Sequence, residues 1–276
     1  MDKNKHMIYI NRFYSFNERV GEVEISSMDK YITGMMKSIQ DKLFFIDKID
    51  TDLIVDFGCA DGSIISEIKR RRSDIDIIGY DIDDNMLNMA RYKNKDCFFT
   101  NSWDDVISRI DKYNSPCLNL SSVIHEVYSY SNSRIIKKFW EKNVFGSGFK
   151  WITIRDMIPS IKISKDINFE SDVKKIKNKS DKYLKSFEDR WGPIDYDYRT
   201  FTHYLLKYKF KENWEREVKE NYLPLTLETL KKKIPNSYKI VYEDNFILDH
   251  IKREVLKDFG VLLRHPTHSK LIIKNN

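Results

Sequence analysis

The chain has 276 residues, of which 41% are hydrophobic and 13% aromatic, enough apolar material to bury a sizeable core, and this excludes an intrinsically disordered protein. No apolar run approaches the ~18 residues needed to span a bilayer, and the first residues show neither the apolar segment nor the cleavage site of a secretory leader. The net charge of +6 permits nucleic-acid contact without specifying it, because Lys, Asn, Ile, Asp and Tyr are abundant along the whole chain.

Cys59, Cys97 and Cys117 are widely spaced and form neither a disulfide framework nor a CxxC pair. A cytoplasmic protein with no cysteine-based metal site and no membrane partner is the expectation.

Taken in chain order, a helical stretch over 26–46 precedes the first strand, within an N-terminal extension of residues 1–50. From 52 to 158 short apolar runs alternate with segments of helical period, the pattern of βαβ units. Strands are expected over 52–58, 75–82, 96–101, 117–124 and 149–158. The helices between them should include one opened by Asp83 or Asp84 and another opened by Ser131 or Ser133. Residues 159–225 are dense in Lys and aromatics and read as a helical insert, interrupted by Gly192 and Pro193. Residues 226–276 return to α/β character, with strands over 238–246 and 268–275 and a helix stopped by Gly260. The fold class is therefore α/β: a doubly wound, mostly parallel seven-stranded sheet with a helical insert between the fifth and sixth strands, read as one domain.

The turn after the first strand, LIVDFGCADGSII (53–65), carries chemistry. Gly58 permits a positive φ, and Ala60 and Gly62 let a ligand approach the main chain closely. The helix that follows offers free N–H groups. Asp81 lies 25 residues after Asp56, at the end of the second strand, where a carboxylate can accept both hydroxyls of a ribose. Together these features read as a site for a nucleoside-bearing cofactor. The GxGxxG spacing of a dinucleotide site is absent, which weighs against a nicotinamide-dependent oxidoreductase.

Asp56, Gly58, Ala60 and Gly62 follow a D-x-G-x-A-x-G plan. It resembles motif I of the class I S-adenosylmethionine-dependent methyltransferases, D/E-x-G-x-G-x-G, with Ala60 at the middle glycine. The likeness continues in GYDIDDNMLNMAR and in FTNSWDD, covering 52–158 well and 226–276 loosely. It implies seven strands with a reversed final hairpin, S-adenosyl-L-methionine as cofactor, and a methyltransferase activity. Asp56 would approach the methionine ammonium, with Gly58, Ala60 and Gly62 giving the tail room. Asp81 would bind the ribose and Ile82 pack on adenine, while Asn101 or Ser102 would meet the adenine edge beside Trp103.

SSVIHEV, after the fourth strand, is similar to the SxxLHH stretch of small-molecule methyltransferases, whereas the [DN]PP[YF] of many amino methyltransferases is missing. His125 is placed to act as base or orienter for the acceptor, with Glu126, Tyr128 and Tyr130 lining its pocket. Arg155 and Asp156 bind substrate or pair with each other. The insert, with Tyr196, Tyr198, Arg199, His203, Tyr204, Lys207, Tyr208 and Trp214, either stacks bases and neutralises phosphates or closes as a lid over a small molecule. His203 is its candidate substrate contact. Three readings follow: a methyltransferase for a small or nucleotide-like acceptor, one for RNA or DNA, and an inactive binding module of the same fold. These motifs set neither the acceptor nor the oligomeric state.

Overall fold

The computed structural model describes residues 39–179 and 182–276, which form two compact units. The expected N-terminal helix falls mostly outside the described residues. Its end is seen as α1, Ile39–Lys42.

The first unit runs to Asp156 and takes back residues 233–243 and 270–276. Its strands are β1 (Leu53–Phe57), β2 (Asp76–Tyr80), β3 (Phe98–Thr100), β4 (Pro116–Ser121) and β5 (Trp151–Asp156). The helices between them are α2 (Ser63–Arg71), α3 (Asp84–Lys93), α4 (Trp103–Ile110), α5 (Ile124–Tyr130) and α6 (Ser133–Lys138). Every residue of β1 and β4 is buried, as expected of central parallel strands covered on both faces, and this is why they read as continuous apolar runs. Neighbours β2–β1, β1–β4, β4–β5 and β2–β3 pair in parallel. Leu43, Phe45, Ile54, Ile65, Ile68, Leu87 and Ile272 belong to one apolar cluster of this unit.

With β6 (Tyr238–Phe246) and β7 (His268–Asn275) the sheet has seven strands in the order β3-β2-β1-β4-β5-β7-β6, mostly parallel with some antiparallel strands. The last strand inserts between the fifth and sixth, as the resemblance implies. Burial alternates along β6, the pattern of a strand at the sheet's edge with one face in solvent.

Most strands are one or two residues shorter at their ends than the sequence reading has them, and two departures have a visible cause. The fourth strand stops at Ser121 instead of running to 124, because Ser122 takes a left-handed φ of 57° and α5 starts two residues later. The next helix is opened by Asn132, whose side chain accepts from the Ile135 amide, and not by Ser131 or Ser133. Its continuation over Phe139–Val144 is a π-helix. Asp83 does cap α3, accepting from the Asn85 and Met86 amides.

The second unit comprises residues 157–232 and 244–269, so the insert shares its core with a stretch expected to belong to the closing α/β segment. It contains α7 (Glu170–Lys177), α8 (Lys182–Trp191), α9 (Tyr198–Tyr208), α10 (Trp214–Glu217), α11 (Leu227–Lys231) and α12 (Asp249–Phe259). Gly260, at φ 65°, ends α12 as expected. The core of this unit is strongly aromatic, with Phe187, Tyr198, Phe201, Tyr204 and Phe259 among its buried members.

Candidate active site

Between β1 and α2 the backbone is left-handed at every second residue: Gly58 at φ 77°, Ala60 at 46° and Gly62 at 75°. The amides of Gly58 and Cys59 donate to the Tyr80 carbonyl at 2.8 and 3.0 Å. The Ala60 amide donates to Asp81 Oδ2 at 2.8 Å, and Asp81 Oδ1 accepts the Asp83 amide at 3.0 Å. Asp81 therefore ties the turn to the end of β2, which holds the non-glycine Ala60 in a region that costs free energy. Each carboxylate oxygen offers two acceptor sites, so these bonds are compatible with ribose hydroxyls at the same group.

Both glycines have protein atoms where a Cβ would go. A Cβ on Gly58 would fall 2.8 Å from Val123 Cγ2, and one on Gly62 would fall 2.7 Å from Asn94 Nδ2 and 3.0 Å from Ala90 Cβ. The space beside Gly62 is thus filled by α3 and its C-cap, contrary to the expectation that it opens the backbone to a ligand. Gly79, which the sequence reading passed over, is of the same kind: a Cβ there would lie 2.4 Å from the Phe99 ring.

Asp56, Asn119 and Thr153 stand in register on β1, β4 and β5. Thr153 Oγ1 donates to Asn119 Oδ1 at 2.9 Å, and Asn119 Nδ2 donates to Asp56 Oδ1 at 2.8 Å. The other oxygen, Asp56 Oδ2, is buried with no hydrogen-bond partner among the described residues. Burial raises the Asp56 carboxyl to about 6, against the opposing pull of Asn119 and of the Lys42 ammonium.

Lys42 is the residue that sequence reasoning missed. It is only 5% exposed, and burial, helped by the Arg155 charge, lowers it to about 8, while Asp56, Asp156 and Glu126 pull the other way. Its one signal in the sequence is positional: it occupies an apolar register with Ile39 and Ile46, where a lysine is out of place. The neighbouring Asp41 is clamped. Arg155 Nε donates to its Oδ2 at 2.9 Å, and Lys270 pairs with its other oxygen.

Arg155 and Asp156 each hold partners on other elements. Arg155 bonds Asp41 and Ser122 Oγ, the latter at 3.0 Å, which anchors α1 and the end of β4 to β5. Asp156 serves α5: its Oδ2 accepts the Ile124 amide at 2.7 Å and its Oδ1 lies 2.7 Å from His125 Nδ1. One carboxylate therefore caps the helix and fixes the imidazole. A carboxylate only accepts, so Nδ1 carries a proton, which leaves Nε2 as the ring's basic nitrogen.

Around this dyad the structure sorts the remaining candidates. Glu126 is buried in the first turn of α5. Tyr128 is half-buried, its hydroxyl accepting from Trp140 Nε1 at 3.0 Å, and Tyr130 is half-buried at the helix end. Ile82 is half-buried. Asn101 is exposed and donates to Asp84 Oδ1 at 3.0 Å, while Ser102 caps α4 through the Asp105 amide. Trp103 is half-buried and packs edge-on against Phe57 and Tyr80, with ring centroids 5.3 and 5.2 Å away. His203 belongs to the second unit. Its ring lies against Phe187 and Trp191, Nε2 accepts the Tyr222 amide at 3.2 Å, and burial holds it neutral. That is a core histidine and not a pocket residue. Among the described residues no cluster of three or more His, Cys, Asp or Glu could hold a metal ion, and no helix is long and apolar enough to cross a membrane.

No protein-family model and no curated protein matches the chain. Among solved structures it is similar to the plantazolicin methyltransferase BamL, in complex with a triazolic desmethylPZN analogue and SAH, at 13% identity and a TM-score of 0.49 over 90% of this chain and 88% of that one. It is also similar to the small RNA methyltransferase HEN1, at 15% identity and a TM-score of 0.48 over 95% of this chain and 27% of that one. For the MccD protein the figures are 11% and 0.47 over 88% and 98%. The chain itself has the seven-stranded α/β fold, with β7 between β5 and β6, that its resemblance to class I methyltransferases implies.

Proposed function

We propose that this protein is an S-adenosyl-L-methionine-dependent methyltransferase acting on a small or nucleotide-like acceptor that loses a proton on methylation. The observation that carries this reading is the Asp56 carboxylate, buried with an unpartnered Oδ2 at the foot of a left-handed turn bound to Asp81. A buried carboxylate without full partners is costly unless a cation or donor meets it. The ammonium of the cofactor's amino-acid tail supplies that cation, Ala60 with its single methyl group leaves the tail a side-chain-poor approach, and Asp81 takes the ribose hydroxyls. Bound there, the cofactor supplies a methyl group on a positively charged sulfur.

At the acceptor the work falls to His125. With Nδ1–H held by Asp156, Nε2 takes the proton shed by the acceptor's nucleophilic atom, and the carboxylate stabilises the resulting imidazolium. This arrangement supports transfer to a hydroxyl or amine over transfer to a site with no proton to lose.

Calorimetry on the purified chain with S-adenosylhomocysteine and with NADH tests the assignment. Binding of the first and not the second is expected. The opposite result, or binding of neither, would overturn it.

A further inference from the structure

The turn that leads into His125 is held from two sides by the end of β5. Ser122, the first residue past β4, is left-handed at φ 57°, a region that costs a residue with a side chain free energy and persists only where its surroundings enforce it. Its amide donates to the Arg155 carbonyl at 2.8 Å, and Arg155 Nη1 donates to Ser122 Oγ at 3.0 Å. Successive strand residues point to opposite faces. Asp156 therefore reaches the same turn from the other face, where its carboxylate accepts the Ile124 amide at 2.7 Å and lies 2.7 Å from His125 Nδ1. Val123, between the two, is buried and packs on Gly58, where a Cβ would fall 2.8 Å from its Cγ2.

Arg155 is itself fixed. Its side chain is buried, and Nε donates to Asp41 Oδ2 on α1 at 2.9 Å. Asp41 in turn pairs through its other oxygen with Lys270 on β7. A buried guanidinium shared between a carboxylate and a hydroxyl is rigid, since moving either partner leaves a buried donor unpaired. Ser122 cannot relax to an ordinary φ without breaking its bond to Arg155. Relaxation would also carry Ile124 and His125 away from the carboxylate that holds them. The path from Asp41 through Arg155 and Ser122 thus acts on the imidazole without touching it.

We propose that Arg155 is a positioning residue for His125. By holding the bend at Ser122 it presents the start of α5 to Asp156, which keeps a proton on Nδ1 and leaves Nε2 as the basic nitrogen. The inference rests on the methyltransferase reading, which gives His125 an acceptor to deprotonate. It adds that a side chain on the opposite face of β5 sets the state of that base. Because the device works through backbone conformation, glycine at position 122 should make it dispensable, for glycine takes a positive φ readily. Alanine there loses the hydroxyl and keeps the strain.

Nitrogen NMR on the full chain, labelled at its six histidines, tests this, with the His125 signals identified by their loss in His125→Gln. Once the ring is neutral at high pH, the wild type should hold its proton on Nδ1. Arg155→Met and Ser122→Ala should each reduce that preference by about tenfold, the scale of one hydrogen bond to a charged group, so that the two tautomers mix. Ser122→Gly should keep the preference, and adding it to Arg155→Met should restore it. Melting curves check that each variant is folded; should Arg155→Met not fold, the contrast between Ser122→Ala and Ser122→Gly decides, and equal behaviour of the two overturns the proposal. An undisturbed Nδ1 proton in Arg155→Met, or a loss that Ser122→Gly does not repair, also overturns it while the methyltransferase reading stands. Calorimetry of the wild type with S-adenosylhomocysteine separates the two, since absence of binding overturns that reading and, with it, the use made of His125.

Discussion

Burial raises Asp56 to about 6 and lowers Lys42 to about 8, so the two groups titrate on either side of neutrality. Asp56 faces Lys42 and Asp81, and Lys42 faces Arg155, Asp56, Asp156 and Glu126. Below pH 6 the carboxyl is neutral, and above pH 8 the amine is. Affinity for S-adenosylhomocysteine is therefore expected to fall by up to about tenfold per pH unit below pH 6, as Asp56 takes up a proton, which calorimetry from pH 5 to 7 would show. Stability follows its own sign. The folded-state value of Asp56 lies above its ordinary 3.8, so its contribution is full in acid and is lost as pH rises through 6. Asp56→Asn should then melt higher than wild type at pH 7 to 8, by up to about 3 kcal/mol, and lose that advantage near pH 4. His125 makes a separate prediction. His125→Ala should lower kcat by about 10²-fold or more while S-adenosylhomocysteine affinity, read by calorimetry, stays unchanged.

At the scale of elements, the turn between β1 and α2 is the most constrained stretch. Gly62 combines a φ of 75° with atoms of Asn94 and Ala90 where a Cβ would go. Gly62→Ala should therefore cost about 1–3 kcal/mol of stability from the strained backbone alone, with more from displacing α3, and thermal or urea unfolding would measure it. The same physics explains why the sequence reading carries the fourth strand to 124. An apolar run through Val123 and Ile124 continues the pattern of a buried strand. The chain leaves the sheet instead, because Ser122 turns left-handed and Asp156, distant in sequence, caps the new helix with an acceptor for the Ile124 amide. Caps supplied by a neighbouring strand leave no local signature.

At the scale of the molecule, the net charge of +6 invites a nucleic-acid partner, and the insert's aromatics were its best argument. The structure spends most of them elsewhere. Tyr198, His203, Tyr204, Lys207 and Trp214 are buried in the second unit's core, and Tyr196, 79% exposed, is the clear exception. Lys207 is directed to the carbonyls of Glu217 and Glu220 and lies 4.1 Å from the centroid of the Tyr222 ring. Side chains enclosed in this way cannot stack on bases. The protein is therefore expected to bind RNA only as a weak background. Tight retention of a labelled duplex at low salt, lost by about 10³-fold between ~50 and ~200 mM salt, would contradict this and revive the nucleic-acid acceptor.

The sequence by itself determined the alternation of strands and helices, the parallel core and the positive φ at Gly58, and it singled out Asp56 and Asp81 as candidates. Hydrophobic period, small residues at a turn and an acid at a strand end are local quantities, visible along the chain. Only the tertiary structure decided that Asp156 belongs to His125, that Arg155 belongs to Asp41, that Lys42 is buried, and that His203 and its aromatic neighbours are core. Each of those depends on which side chains the sheet order brings side by side, and on how much water they lose there. Neither quantity is carried by spacing.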